Sequence, residues 1–258
     1  MNPELSIIIV NYNTADFMDK CLASIFNSSE ALSREVIVVD NNSSDGSSTL
    51  VKSKYPQARL IENRLNLGFA GANNIGARNS SGDTIIFLNP DTIVTSGQFS
   101  KLAAILKSSP DAGIVAPRLV NPDGTLQYSC RRFYNLRTVF FRRLLAGSKT
   151  GRALSEAHLM KDWDHNSTKA VDWVLAACLA IKRDTFNQIG GFDDKYMLYF
   201  EDVDLCKRIY SIGKKVYYYP EAVVTHHYQR ESANRFNKRT YWHIKSAFRF
   251  FSKFGWKF

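Results

Sequence analysis

Short, continuously apolar runs recur along the first 88 residues of the chain, and each of them ends in polar residues. The runs are short and rich in β-branched residues, which is typical of strands buried on both faces of a parallel sheet. They occupy residues 5–10, 35–40, 59–62 and 84–88. A helical stretch from Asp16 to Phe26, with Asn13 or Thr14 as its cap, separates the first two. The alternation predicts βαβ units and an α/β fold, with a mostly parallel central sheet flanked by helices.

Further elements are predicted in the second half of the chain. Strands are expected at residues 113–117, in the first part of 169–181, and at 216–220, with 223–227 following closely. A short helix over residues 183–189 should end at Gly190-Gly191. Another helix, beginning near Asp202, would turn Leu205 and Ile209 inward because they lie four residues apart.

Polar clusters follow three of the predicted strands. They are Asn11-Tyr12-Asn13, Asp40-Asn41-Asn42 and Asn89-Pro90-Asp91. In a parallel sheet the carboxyl ends of the strands meet at one edge, and ligands bind there. We therefore expect the three clusters to surround a single site.

Small residues between positions 66 and 76 open a predicted helix after the third strand. The N-terminal amides of such a helix suit a phosphate, but a plain helix start packed closely on the sheet has the same pattern. The spacing matches neither a Walker A loop nor a strict GxGxxG motif. The first βα turn, residues 11–14, contains no glycine, which disfavours a dehydrogenase.

Three carboxylates, Glu201, Asp202 and Asp204, fall within four residues. Acidic residues in a first helical turn suit the positive end of the helix dipole, so a capped surface helix would explain them. Two other features favour chemistry, namely the motif at Asn89-Pro90-Asp91 and the imidazole pair His226-His227. Carboxylates and a histidine are the groups required for metal-assisted transfer to an activated hydroxyl.

Length and charge narrow the function classes. With 258 residues, the chain suits one large domain or one domain with an appendage. Its net charge of +10 implies an anionic partner, which is nucleic acid, anionic lipid or a phosphorylated substrate. The four cysteines form no CxxC pair, so we expect buried free thiols in a reducing cytoplasm. We find neither a signal peptide nor an apolar run long enough to span a membrane.

Cations and aromatic residues concentrate in two segments. Residues 131–152 predict a helical flap, a lipid-facing surface or an acceptor lid, and the sequence does not choose among them. On a helical wheel of the tail, the apolar half carries Tyr241, Ile244, Ala247, Phe248, Phe251 and Phe254, with Phe250 at its edge, and the other half carries Trp242, Lys245, Arg249 and Lys253. Such a basic amphipathic helix suits an anionic membrane surface. The alternative is a terminal helix docked on its own domain.

Taken together, these motifs resemble the family 2 glycosyltransferases, and most of all their bacterial rhamnosyltransferase-type members. The matching pieces are residues 6–13, 38–46, 66–73, 87–91, 189–193 and 200–205, in the order found in the family. The resemblance spans about residues 5–230 and implies a GT-A (Rossmann-like) fold. It divides the chain into a GT-A domain at 1–227, with a flap or insertion at 128–165, and a basic, aromatic helical tail at 228–258.

The resemblance also implies a nucleotide-sugar donor at the strand ends. The donor-binding residues would be Val10, Asn11, Tyr12, Asp40, Asn66, Gly68, Asn89 and Asp91. The Asp40 carboxylate can accept the imide N–H of uracil or thymine, which favours a UDP- or dTDP-sugar. Asp91 matches the last acid of the DxD motif and would hold Mg²⁺ or Mn²⁺ together with His226, or with His227 in its place. The first acid of that motif is replaced here by Asn89.

The resemblance to the family also implies that Asp202 matches the family's catalytic base. It would take the proton of the acceptor hydroxyl while the nucleoside diphosphate leaves from the opposite face, so that the sugar is transferred with inversion. Glu201 and Asp204 would orient the acceptor or cap the helix. Trp173 would form an apolar wall for the acceptor or else be a core tryptophan. The expected donor is dTDP-rhamnose, and the expected acceptor is a cell-surface polysaccharide or a lipid-linked glycan.

Two rival classes remain at this point. A catalytically impaired nucleotide-sugar-binding protein would account for Asn89. A basic nucleic-acid-binding module would need a recognised scaffold, and the sequence has no RNP, KH or helix-turn-helix pattern. Because the charge concentrates away from the strand ends, we expect no nucleic acid partner but a position on the inner face of the cytoplasmic membrane, reached through the tail.

Overall fold

The structure is a computed structural model, and it describes residues 2–134, 148–227 and 238–255. The strands are β1 Leu5–Asn11, β2 Arg34–Asp40, β3 Arg59–Glu62, β4 Thr84–Leu88, β5 Thr92–Val94, β6 Ala112–Val120, β7 Cys130–Arg131, β8 Lys169–Val171, β9 Trp173–Val174, β10 Cys178–Lys182 and β11 Lys215–His226. The helices are α1 Ala15–Asn27, α2 Ser47–Lys54, α3 Gly68–Arg78, α4 Gln98–Ser108, α5 Lys149–His158, α6 Arg183–Gln188, α7 Glu201–Ser211 and α8 Lys238–Phe254.

A central sheet with the strand order β3-β2-β1-β4-β10-β6-β11-β5 organises the described residues, and β8 pairs with β11. The first four strands are parallel, as the apolar runs predicted. Successive residues of β1 enter different cores, with Ile8 and Val10 on one face and Ile7 and Ile9 on the other. Helices cover both faces, which is why these strands carry apolar residues at nearly every position.

Beyond β4 the sheet is more mixed than expected. β10 runs antiparallel between β4 and β6, and β11 is antiparallel to β5 and β8. Residues 169–181 were expected to form a strand in their first part. That part forms only the short β8 and β9, and the strand of the central sheet is β10 at the end of the segment. An apolar run predicts burial but does not reveal strand direction.

β11 is a single long strand where two runs were predicted. Its pairing with β6 shifts register between Tyr219 and Val223, around Pro220. Proline cannot donate to a ladder, and an irregularity of this kind is where a strand tolerates it. Beyond the register shift, β11 continues to His226, which pairs with Thr92 of β5.

The tail helix α8 is docked on the domain by one side. Phe250 and Phe251 are buried in the core cluster that also contains Phe200. Arg249 and Lys253 were assigned to the polar half of the wheel, and both form ion pairs with Asp193, at 2.7 and 2.9 Å. The docked alternative therefore describes the inner side of this helix.

The outer side of α8 keeps apolar residues in contact with solvent. Tyr241, Ile244 and Phe248 are 55%, 48% and 64% exposed. Of the predicted flap at 128–165, residues 135–147 lie outside the described part of the chain, as do residues 228–237 of the tail. Within the described ranges, no helix has the length and apolar content needed to cross a bilayer. All four cysteines are buried free thiols, as expected.

Candidate functional site

A pocket of about 600 Å³ lies at the edge of the sheet where β1 and β4 end. Six of the predicted donor-binding residues line it: Val10, Tyr12, Asn66, Gly68, Asn89 and Asp91. The opposite wall comes from Met197, Leu198 and Tyr199, just before α7, and from Trp242 of α8. The sequence motifs gave no signal for these four wall residues.

Asn11 and Asp40 are buried beside this pocket rather than among its lining residues. They face each other across the β1–β2 pair, and Asn11 Nδ2 donates to Asp40 Oδ1 at 2.5 Å. The other Asp40 oxygen accepts from the Ser43 amide at 3.0 Å. Their chain neighbours Val10 and Asn41 do line the pocket, so this pair fixes the shape of its wall.

The start of α3 is held by side chains of the same rim. Asn66 Oδ1 accepts from the Gly68 amide at 2.8 Å, and Asn41 Nδ2 donates to the Gly68 carbonyl at 3.0 Å. In this conformation the first amide of α3 is therefore satisfied within the protein. That contact is the one expected of a plain helix start, and it accounts for one of the four N-terminal amides.

Asp91 and His226, the two predicted metal ligands, face each other. His226 Nε2 lies 3.4 Å from Asp91 Oδ1 because β5 and β11 pair directly after Asp91. Gln127 sets the orientation of the ring, with its Oε1 at 2.9 Å from His226 Nδ1. The Gln127 amide group is itself fixed, since its Nε2 donates to the His226 carbonyl and to Asn121.

This geometry suits a divalent cation. A proton on Nδ1 donated to Gln127 leaves the lone pair of His226 Nε2 directed towards Asp91, which is the arrangement of a ligand histidine. Asp91 Oδ1 is buried without a hydrogen-bond partner among the described residues. The described residues contain no cluster of three or more His, Cys, Asp or Glu side chains that would complete a site. A cation here would take its remaining oxygens from a ligand or from water.

His227 is placed differently from His226. Its backbone amide donates to the Asp91 carbonyl at 2.8 Å, and its ring packs against Phe17. Of the two imidazoles, only that of His226 points at the Asp91 side chain within ion-pair distance in the described structure.

Glu201 and Asp202 begin α7 after an unusual stretch of backbone. Tyr199 and Phe200 both have positive φ, at 67° and 66°. Two successive residues in this region are costly for side chains with a Cβ, and such strain concentrates at functional sites. Phe200 is held by ring contacts with Tyr134 and Phe250. Packing therefore fixes the direction in which α7 presents its first carboxylates.

The two carboxyl groups titrate above their ordinary range. Burial raises the pKa of Asp202 to about 6, although the amides of Val203 and Ala176 and the charge of Arg131 oppose the shift. Burial raises the pKa of Glu201 well above its usual value, and the neighbouring Asp202 charge adds to this. The upward shifts favour the neutral form of both groups, and the charge of one member raises the pKa of the other.

Asp202 is close to the pocket without lining it. The Ala176 amide interacts with its carboxylate, and the next residue, Ala177, accepts a hydrogen bond from the Asn89 amide at 2.8 Å. The chain that leads into Asp202 also supplies the pocket residues Leu198 and Tyr199. The adjacent residues Ala176 and Ala177 thus connect Asp202 to Asn89 of the pocket.

The two predicted acceptor-binding residues are largely inaccessible. Trp173 is 3% exposed, with Tyr134 and His158 against its ring, and its Nε1 donates to the Arg132 carbonyl. This environment is that of the core tryptophan named as the alternative. Glu201 is 8% exposed. An acceptor would meet these side chains only after the groups that cover them moved.

Asp204 serves the fold. It is fully buried and accepts from Arg208 at 2.6 Å and from Lys253 of α8 at 2.5 Å. Of the two roles expected for it, orienting an acceptor or capping the helix, the structure supports neither as its main contact. Asp204 instead connects α7 to the tail helix.

Comparison with known proteins agrees with this architecture. Residues 6–163 match the family model described as Glycosyl transferase family 2. The N-acetylglucosaminyl-diphospho-decaprenol L-rhamnosyltransferase of Mycobacterium tuberculosis is 29% identical over 238 residues, which covers 88% of this chain and 77% of the relative. Rhamnosyltransferase WbbL of Escherichia coli is 28% identical over 258 residues, covering 96% and 92%.

Solved structures share the fold. GalNAc-T7, solved with UDP, GalNAc and Mn²⁺, superposes with a TM-score of 0.70 at 16% identity, over 97% of this chain and 48% of that one. The mannosyltransferase PcManGT of Pyrobaculum calidifontis, solved with GDP-Man and Mn²⁺, gives 0.61 at 21% identity, over 90% and 59%. The chain spans about half the length of these two proteins. It belongs to the family 2 glycosyltransferases, and its fold is the GT-A fold that the sequence motifs predicted.

Proposed function

We propose that this protein is an inverting glycosyltransferase that moves a sugar from a nucleoside diphosphate to a hydroxyl group of a lipid-linked or polysaccharide acceptor. The leading donor is dTDP-rhamnose, since the relatives in M. tuberculosis and E. coli are both named rhamnosyltransferases. The name of the first relative specifies an N-acetylglucosaminyl-diphospho-decaprenol acceptor. An acceptor of that chemical class is the one we assign to this chain.

One observation carries the proposal. Asp202, a carboxylate whose pKa burial raises to about 6, interacts with the Ala176 amide, and the next residue, Ala177, accepts a hydrogen bond from Asn89, which lines the nucleotide-sized pocket together with Asp91. A base with a pKa near the working pH is well matched to proton transfer at neutral pH. A site that only bound the nucleoside diphosphate would not need a carboxylate with a raised pKa.

The residues take separate roles in this mechanism. Asp202 accepts the proton of the acceptor hydroxyl while that oxygen attacks the anomeric carbon. Burial raises the pKa of Glu201 well above its usual value and favours its neutral form, so we assign the base role to Asp202. Asp91 and His226 would hold Mg²⁺ or Mn²⁺, which would supply positive charge to the leaving diphosphate. Tyr12 and Asn89 line the space for the donor.

The proposal includes a peripheral position on the inner face of the cytoplasmic membrane. The exposed apolar side of α8, formed by Tyr241, Ile244 and Phe248, supports it, as does the neighbouring exposed cation Lys245. An amphipathic helix with these features binds an anionic interface through apolar burial and charge together. A lipid-linked acceptor would be met at the same surface.

Release of nucleoside diphosphate tests the function. The protein is incubated with Mn²⁺ or Mg²⁺, a panel of dTDP-, UDP- and GDP-sugars, and a synthetic N-acetylglucosaminyl-diphospho-lipid. We expect acceptor-dependent release of dTDP from dTDP-rhamnose and a product with the inverted anomeric configuration. Metal-dependent donor binding without transfer or hydrolysis for any sugar would instead support the binding-protein alternative raised by Asn89.

Gly68 gives a prediction about the donor pocket. Its φ is +75°, and a Cβ at this position would lie 2.5 Å from the Met197 carbonyl oxygen in the pocket wall. We expect Gly68→Ala to lower the free energy of unfolding by about 1–3 kcal/mol and to weaken donor binding severalfold, because Met197 must move. Thermal unfolding and titration with dTDP measure the two effects.

Gly124→Ala is the matched control for this substitution. Gly124 has a similar φ of +81°, but a Cβ there would meet nothing within 4 Å. It should cost stability through backbone strain alone and leave dTDP binding at the wild-type level. Equal dTDP affinity in all three proteins would contradict the assigned role of the Gly68–Met197 contact.

A further inference from the structure

A second cavity, of about 690 Å³, lies along α8 next to the donor pocket. Four cations line it: Lys195, Lys245, Arg249 and Lys253. Two aromatic residues, Trp242 and Phe248, and two serines complete the wall, and no acidic residue lines it. We call this cavity the α8 groove. Its lining is suited to a ligand that combines negative charge with apolar surface.

Part of the positive charge is already balanced. Arg249 and Lys253 are paired with Asp193, and Lys253 also reaches Asp204 at 2.5 Å. Burial alone would raise the pKa of Asp193, but the hydrogen bonds from these two cations lower it to about 2. Asp193 is therefore ionised throughout the physiological range and neutralises part of the groove charge.

Two cations are left over. Lys195 and Lys245 are exposed, and within the described residues neither forms an ion pair. Lys245 Nζ instead lies 4.9 Å from the centre of the Trp242 ring. Arg249 and Lys253 face Asp193 and Asp204 on the inner side, so the charges directed into the groove are those of Lys195 and Lys245. A diphosphate diester has one ionised oxygen on each phosphorus, which is the complementary charge.

The groove is joined to the donor pocket. Trp242 lines both cavities. Ser246, in the wall of the groove, donates through Oγ to the carbonyl of Leu198, a residue of the donor pocket, at 2.9 Å. A sugar attached to a diphosphate held in the groove would therefore project towards the site where its hydroxyl must react.

The other end of the groove leads to apolar surface. Phe248 lines the groove and is 64% exposed, and Ile244 lies one helical turn before it. Charged and apolar ligand groups would thus find matching surfaces in sequence along one helix. The sugar would lie at Trp242, the phosphates at the lysines, and the hydrocarbon at Phe248.

We propose that the α8 groove binds the diphosphate of a lipid-linked acceptor, with Lys195 and Lys245 contacting the phosphates and Phe248 contacting the lipid. This assignment rests on the proposed function for its choice of acceptor. It makes the tail helix part of the acceptor site and not only an attachment to a membrane.

The test compares two synthetic acceptors, N-acetylglucosaminyl-diphospho-farnesol and its neutral counterpart in which the sugar is joined directly to farnesol. Binding is measured by calorimetry with EDTA present, so that no metal at Asp91 recruits the diphosphate. We expect the double variant Lys195→Ala/Lys245→Ala to bind the diphosphate probe at least tenfold more weakly and the neutral probe unchanged. The control Lys20→Ala/Lys107→Ala removes the same charge from α1 and α4 and should alter neither.

Equal affinity of the wild type and the groove variant for the diphosphate probe would overturn the proposal. Phosphatidylglycerol vesicles provide a second arm. Loss of vesicle binding with unchanged probe affinity would assign the lysines to bilayer phosphates, and the groove proposal would be wrong.

Transfer assays separate this proposal from the proposed function. If no donor sugar is transferred but probe binding depends on the two lysines, the function fails and the groove assignment stands. If transfer proceeds and the groove variant keeps the wild-type kcat/KM with the diphosphate acceptor, the groove assignment fails and the function stands.

Discussion

Replacing Asp202 by Asn is expected to lower kcat by about 10²–10⁴-fold, the range observed for loss of a general base. The amide has nearly the same shape but cannot accept the proton of the acceptor hydroxyl. The Asp202 carboxylate accepts from the adjacent Val203 amide at 2.8 Å and interacts with the Ala176 amide, and the carbonyl oxygen of an Asn side chain can accept in the same way, so the fold should persist. Initial rates of sugar transfer measure the effect, and titration with dTDP should give the wild-type affinity.

The neighbouring carboxyl group provides the comparison. Burial raises the pKa of Glu201 well above its usual value and favours its neutral form, which Glu201→Gln imitates, so the kcat of this variant should fall by less than tenfold. An equal loss in both variants would show that the two carboxyls act as one unit. A larger loss in Glu201→Gln would transfer the base role from Asp202 to Glu201.

The same assignment fixes the pH dependence. A base with a pKa of about 6 loses activity as the pH falls through that value, so kcat/KM of the wild type should drop about tenfold per pH unit below 6 and level off above it. Because the folded-state pKa lies above the unfolded value, ionised Asp202 destabilises the folded protein, and stability falls as the pH rises from about 4 to about 6. Asp202→Asn should therefore gain about 1–2 kcal/mol at pH 7 and nothing at pH 4.

The parts of the fold that were predictable are those specified locally. β1, β2 and β4 carry apolar residues at most of their buried positions, and the polar clusters after them mark their ends. The pocket residues Val10, Tyr12, Asn89 and Asp91 follow from the rule that ligands bind at those ends. These predictions of strands and pocket residues did not require knowledge of which distant segments of the chain pair with each other.

What remained unpredictable depends on pairing across the chain. The antiparallel insertion of β10 between β4 and β6 leaves no mark in its apolar sequence. Gln127 orients His226 across 99 residues, and a lone glutamine in a loop has no pattern. The helical wheel placed Lys245, Arg249 and Lys253 on one half of α8, but it could not reveal that Asp193 binds two of them and leaves the third exposed.

Asp91→Ala is the second substitution with a large expected effect, and it should abolish metal-dependent nucleotide binding. Asp91 Oδ1 has no hydrogen-bond partner among the described residues and faces His226 Nε2, so the carboxylate has little structural function to lose. Asp91 and His226 would hold the cation, and of these two residues only Asp91 is negatively charged. The substitution removes that charge. We expect the affinity for dTDP measured with Mn²⁺ to fall at least 100-fold, to the level seen with EDTA, while thermal unfolding stays near that of the wild type.

The histidine pair supplies the control, because the two adjacent imidazoles have different surroundings. His226→Gln removes the ring that faces Asp91 and should weaken Mn²⁺-dependent binding by about 10–100-fold. His227→Gln removes a ring packed on Phe17 and should change the affinity by less than threefold. If Asp91→Ala instead titrates dTDP with Mn²⁺ as the wild type does, the cation is not held by this pair, and the replacement of the first DxD acid by Asn89 would mark a donor site that works without it.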